Sequence, residues 1–132
     1  MCDFVAVYGS LRKGMTANHF MRGCDYVEED SVKGTLFNLG PFPGIKLSGK
    51  EPVDVVLDVY ELPETRVHIL HRLDMYEGYD RLDPENALFI RKRTTLNSGR
   101  EAWLYEFNGD VEYGVRIMKG DWVDHVNSRR KV

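Results

Sequence analysis

Two short segments carry residue types suited to acid–base and anion chemistry. The first is Leu73-Asp74-Met75-Tyr76-Glu77-Gly78-Tyr79. Asp74 and Glu77 stand three apart, so on a helix they share a face. They precede Gly78, a helix stop, and so fall at the negative end of the helix dipole, where Lys or Arg would be ordinary. Broken local rules of this kind concentrate at functional sites. Tyr76 and Tyr79 flank Glu77, and rings that exclude water there raise a carboxyl's pKa and suit it to general-base work. The second segment is Tyr8-Gly9-Ser10-Leu11, where an apolar strand stops at a glycine. Backbone N–H groups left without partners in such a turn can point together at an anion or a developing oxyanion. Each segment also has a plain reading, two solvated acids and a tight turn.

Other candidates carry less. His68 and His71 are three apart, but no third ligand stands at a diagnostic spacing, so no metal site is expected. Cys24 has no CxxC partner and reads as a structural thiol. Ser10 lies outside any G-x-S-x-G pattern. The Arg129-Arg130-Lys131 cluster reads as a solvated terminus.

These segments need a frame. Asp3–Tyr8 is apolar on both alternating faces, which fits a central strand covered on both sides. A short helix is expected over Thr16–Gly23, with Thr16 as cap. Tyr26–Leu39 reads as a strand broken at Gly34 and closed by the Gly40–Gly44 turn, and Ile45–Leu47 as a short continuation. Val53–Leu62 is a strand with Val53, Val55, Leu57 and Val59 on one face and Asp54 and Asp58 on the other. Pro63-Glu64 opens a helix whose buried stripe is Ile69, Leu73 and Tyr76. Leu88–Leu96 and Arg100–Phe107 pair around Asn97-Ser98-Gly99, with Trp103, Tyr105 and Phe107 on one face. From Asp121 onward the chain reads as a polar tail. The expected fold is α+β, a small barrel or curled sheet with one main helix, in a single domain over residues 1–132.

Composition narrows the function. Of 132 residues, 42% are hydrophobic and 30% charged, as in ordinary globular proteins. The net charge of −3 lacks the field of a nucleic-acid binder. No apolar run is long enough to span a membrane, and the N-terminus lacks a secretory pattern. Two cysteines make no disulfide framework, so a reducing, cytoplasmic setting is expected.

In combination the segments resemble the gamma-glutamylcyclotransferase family, in its short AIG2-like branch. The resemblance rests on Tyr8-Gly9-Ser10-Leu11 for the YGSL loop, Asn18-His19, Leu39-Gly40-Pro41-Phe42-Pro43-Gly44 for LGxxPG, Leu73–Gly78 for LDxxEG, Ala102–Tyr105, and Gly120-Asp121-Trp122. It runs from about Phe4 to Trp122. It implies a small β-barrel-like α+β fold in which the loop and the LDxxEG glutamate face one cavity. It implies cyclisation of a small gamma-glutamyl substrate to 5-oxoproline with release of an amine, without cofactor or metal. Glu77 would be the general acid/base, and Tyr8, Gly9, Ser10 and Leu11 the oxyanion and substrate cradle. Arg12 and Tyr105 would help hold substrate. Three positions depart from the pattern: Leu57 and Asp58 in the VxGExY strand, and Phe89 where the family often has tyrosine. They leave a second reading open, a binding module that uses the same cavity without turnover.

Overall fold

The computed structural model describes residues 2–112 and 114–130, without the side chains of 129 and 130. The basic cluster expected to be solvated, Arg129-Arg130-Lys131, therefore lies outside the described side chains. The strands are β1 (Phe4–Val7), β2 (Asp25–Asn38), β3 (Pro43–Lys46), β4 (Val53–Glu61), β5 (Phe89–Thr95), β6 (Glu101–Phe107) and β7 (Val115–Arg116). The helices are α1 (Arg66–Glu77) and α2 (Trp122–Arg130). The strands lie side by side in the order β3-β2-β4-β1-β6-β5, and β7 pairs with β2.

Strand β1 is central, as its two-sided apolar pattern requires. It runs antiparallel to β4 and parallel to β6. Val5 and Val7 enter a core with Ile69, Leu70 and Leu73 of α1 and Phe89, Tyr105 and Phe107. Ala6 joins a second core with Val55, Leu57, Val59, Leu104 and Trp122. The period-2 alternation of one strand thus divides the interior into two packed layers.

Strand β2 continues past Gly34 but changes partner there. Residues through Gly34 pair with β4, and Thr35 onward pair with β3. A Cβ on Gly34 would stand 2.9 Å from the Lys46 carbonyl oxygen, so the close passage of β3 needs glycine. The bend carries β3 over the end of β6, yet the backbones do not pair and the barrel does not close. Side chains bridge the seam instead. Tyr8 Oη donates to the Tyr105 carbonyl at 2.6 Å and accepts from the Ile45 N–H at 3.3 Å. The Leu47 N–H donates to Glu106 Oε2 at 2.7 Å.

Three local expectations need correction. The Thr16–Gly23 segment forms only a 3-10 turn, Asn18–Met21, and Thr16 does not cap it. Tyr76, expected in the buried stripe of α1, is exposed, whereas Asp58 of β4 is buried with Arg12 folded down onto it. The polar tail is a second helix, α2, seated by the buried Trp122 and by Val126 against the second core. One apolar anchor per turn is too thin a stripe to read in nine residues.

Candidate active site

Helix α1 ends as its sequence dictates. Gly78 caps it in the left-handed conformation, with φ of 70°. Ile69, Leu70 and Leu73 bury one stripe and fix the helix across β5 and β6. That leaves Tyr76 and Glu77, on the last turn, at the edge of a cavity of about 250 Å³. The Tyr8–Leu11 loop, Phe42, Pro43, Leu88, Phe89 and Tyr105 complete its walls. The fold thus brings both chemistry-bearing segments to one cavity, although 66 residues separate Ser10 from Tyr76. The Ser10 and Tyr76 hydroxyls share a hydrogen bond of 2.9 Å, which ties the loop to the helix end.

Glu77 is the only carboxylate on this wall, and no Lys, Arg or His lines it among the described residues. Burial removes water from its carboxyl and pushes the pKa up to about 8 from the usual 4.5. Among the described residues no cation opposes that shift. Its neighbour Asp74 turns the other way. It accepts from Tyr105 Oη at 2.6 Å and pairs with Arg91 at 3.0 Å. Two acids of one helix face therefore meet different surroundings.

The loop supplies donors. Leu11 packs into the first core, and the Arg12 N–H closes a turn onto the Gly9 carbonyl at 3.0 Å. The N–H groups of Gly9, Ser10 and Leu11 donate to no acceptor among the described residues. Gly9 is required by close approach: a Cβ there would lie 2.7 Å from Pro43 Cγ. Gly9→Ala is expected to push the loop from Pro43 at a cost of about 1–3 kcal/mol. Thermal melting should show a drop of several degrees, and an unchanged melt would mean the loop yields freely.

Arg12 does not reach the cavity. Its guanidinium contacts Asp58 at 3.2 Å, Asp121 at 3.0 Å and Glu29 at 3.4 Å, and it is 6% exposed. Three carboxylates outcompete an apolar pocket for a guanidinium. Tyr105 and Tyr8 line the cavity with their rings, but both hydroxyls are engaged inside the protein. Burial, with Glu77 nearby, pushes the Tyr8 phenol well above its ordinary pKa, so it stays neutral. Phe42, Pro43 and Leu88 were not legible as wall residues. Phe42 and Pro43 sit in a glycine-proline turn that reads only as a chain reversal until β3 folds over β6.

The profile of the family described as "Gamma-glutamyl cyclotransferase, AIG2-like" matches residues 5–124. The chain belongs to that family. MJ1514 of Methanocaldococcus jannaschii, provisionally named a gamma-glutamylcyclotransferase, is 30% identical over 132 residues, covering 93% of this chain and 98% of its own. PH0828 of Pyrococcus horikoshii, with the same provisional name, is 29% identical over 120 residues, 89% of either chain. The crystal structure of PH0828 superposes with a TM-score of 0.71 over 97% of this chain and 96% of that one. Identity falls to 21% in that longer structural alignment, so the likeness there concerns the fold. YkqA of Bacillus subtilis gives a TM-score of 0.74 at 25% identity, but this chain covers only 44% of it. The AIG2-like fold of this chain is α+β, with two helices on a mixed, open sheet. Among the described residues, no helix is long and apolar enough to cross a membrane.

Proposed function

We propose that this AIG2-like protein is a gamma-glutamyl cyclotransferase that converts a small gamma-glutamyl amide to 5-oxoproline and a free amine. The observation that carries the reading is Glu77, a carboxyl of raised pKa, lining the same cavity as the loop whose Gly9, Ser10 and Leu11 N–H groups find no acceptor among the described residues.

The residues suit each step. The substrate's α-amine is the nucleophile and arrives as an ammonium. The Glu77 carboxylate takes one proton from it. The amine nitrogen then bonds to the γ-carbonyl carbon, and the carbonyl electron pair moves to oxygen. The N–H groups of Gly9, Ser10 and Leu11 stabilise that oxyanion. When the oxyanion collapses, the amide C–N bond breaks and protonated Glu77 returns its proton to the departing amine; the regenerated carboxylate then takes the second proton from the ring nitrogen and passes it to that amine, which leaves as its ammonium. A carboxyl near pKa 8 serves both as base and as acid close to neutral pH. The small cavity contributes by holding the chain folded for ring closure. At 250 Å³ it lies below the roughly 300–1,000 Å³ of drug-sized sites, which favours a compact substrate.

The purified protein should release 5-oxoproline, read by mass spectrometry, from some members of a panel of gamma-glutamyl amines and amino acids. Binding of an intact compound with no product from any panel member would overturn the reading in favour of a binding module.

A further inference from the structure

Arg91 lies outside the cavity, and nothing in the reaction above uses it. It stands directly across the β5–β6 ladder from Tyr105. Partners in register project from the same face of the pair, here toward α1. Both side chains converge on Asp74: Tyr105 Oη donates to it at 2.6 Å and Arg91 Nε approaches it at 3.0 Å. The arginine contact is charge pairing without good hydrogen-bond alignment. The two side chains are 15% and 16% exposed, so water screens the pair weakly. The guanidinium is also clamped over the Trp103 ring at 4.5 Å, with Tyr79 at 5.9 Å. Such packing exceeds what a surface ion pair requires.

Asp74 stands three residues before Glu77 on the same helix, which places their Cβ atoms about 5–6 Å apart. An uncompensated anion that close would add to the cost of ionising Glu77. Other groups that face Glu77 do not contribute charge. Burial keeps the Tyr8 and Tyr105 phenols neutral, Tyr76 shares its hydroxyl with Ser10, and Phe42, Pro43, Leu88 and Phe89 are apolar. Glu106, beyond Tyr8, is paired with Lys92.

We propose that Arg91 is a positioning residue for the Glu77 chemistry, acting through Asp74: it neutralises the carboxylate one turn from Glu77 and fixes it where it holds Tyr105. The inference rests on the cyclotransferase reading for its consequence, but its physical content concerns the free protein and is testable there.

The test is an NMR titration of the Glu77 side-chain carboxyl carbon, with pH–rate profiles alongside. Replacing Arg91 by Met removes the cation paired with Asp74, while Arg81 and His71 line the same cleft without pairing with it among the described residues, so the Glu77 midpoint should rise by about one unit or more. Arg91→Lys keeps the charge and should leave the midpoint near that of the unaltered protein. Adding Asp74→Asn to Arg91→Met removes the anion and should bring it back. Asp74→Asn alone leaves the cation uncompensated and should lower the midpoint, a second reading should Arg91→Met fail to fold. A merely structural Arg91 would lower activity at every pH with no shift in midpoint. An unmoved midpoint in a folded Arg91→Met or Asp74→Asn protein would overturn the proposal. Absence of 5-oxoproline from the unaltered protein would instead overturn the cyclotransferase reading, while the carboxyl titration still decides Arg91.

Discussion

Glu77→Gln is expected to lose cyclotransferase activity and gain stability at alkaline pH. Glutamine keeps the size of the side chain but can neither take the ammonium proton nor return one to the leaving amine. General acid–base transfer contributes roughly 100- to 10,000-fold, and both transfers go through this one group. Activity of the unaltered protein should rise with pH through about 8, since only about one-tenth of Glu77 is ionised at pH 7. The stability effect runs in a fixed direction. The folded-state pKa lies above the unfolded value of 4.5, so the folded protein holds this proton longer than the unfolded chain. Stability tied to Glu77 is therefore full below about pH 4.5, declines as pH rises, and levels off above about 8. At about 1.4 kcal/mol per unit the decline reaches a few kcal/mol, less whatever water at the cavity mouth screens. Glutamine removes that decline. Melting curves at pH 8.5 should place Glu77→Gln several degrees above the unaltered protein, and curves at pH 4.5 should nearly coincide. If the two melt alike at both values, the carboxyl is solvated and the general-base role fails with it. Loss of function coupled to a gain in stability is the usual signature of an active-site group held at energetic cost.

Arg12→Met should be the most damaging substitution away from the cavity. The buried guanidinium ties the loop after Gly9–Leu11 to Asp58 of β4 and to Asp121 at the start of α2. Asp58 Oδ2, the oxygen that Arg12 Nε contacts, also accepts the Lys13 N–H at 2.9 Å, so the same loop is held at a second point. Removing one member of a buried pair leaves the other charge uncompensated, at about 3–5 kcal/mol. That converts to a melting shift of roughly 10 °C or more for a domain of this size. Replacing Asp58 by Glu should cost far less, because the charge survives and only its reach changes. An Arg12→Met protein that melts within a degree or two of the unaltered one would show that Asp58 is compensated from elsewhere.

The two segments that meet at the cavity were legible in the sequence because each breaks a local rule. Carboxylates at a helix C-terminus and a central strand halted at Gly9 both ask for an explanation from neighbours alone. The central strand β1 was legible for a similar reason, since period-2 burial on both faces leaves a pattern in five consecutive residues. Helix α2 left no such pattern: Trp122 and Val126 seat it, and two apolar residues among polar ones look like a tail. Nor did local sequence fix the direction of a long side chain. Arg12 next to the Tyr8–Leu11 loop reads as a substrate ligand, and only the packing of β2, β4 and α2 shows three carboxylates waiting for it. The hydroxyls of Tyr8 and Tyr105 were likewise assigned by tertiary structure, to the β3–β6 seam and to Asp74. Local sequence determines backbone preference and which residue types are present, because those interactions span a turn or two. Burial of Glu77, the exclusion of cations from its cavity and the pairing of Asp74 with Arg91 depend on residues brought together across the chain, and tertiary structure decided them.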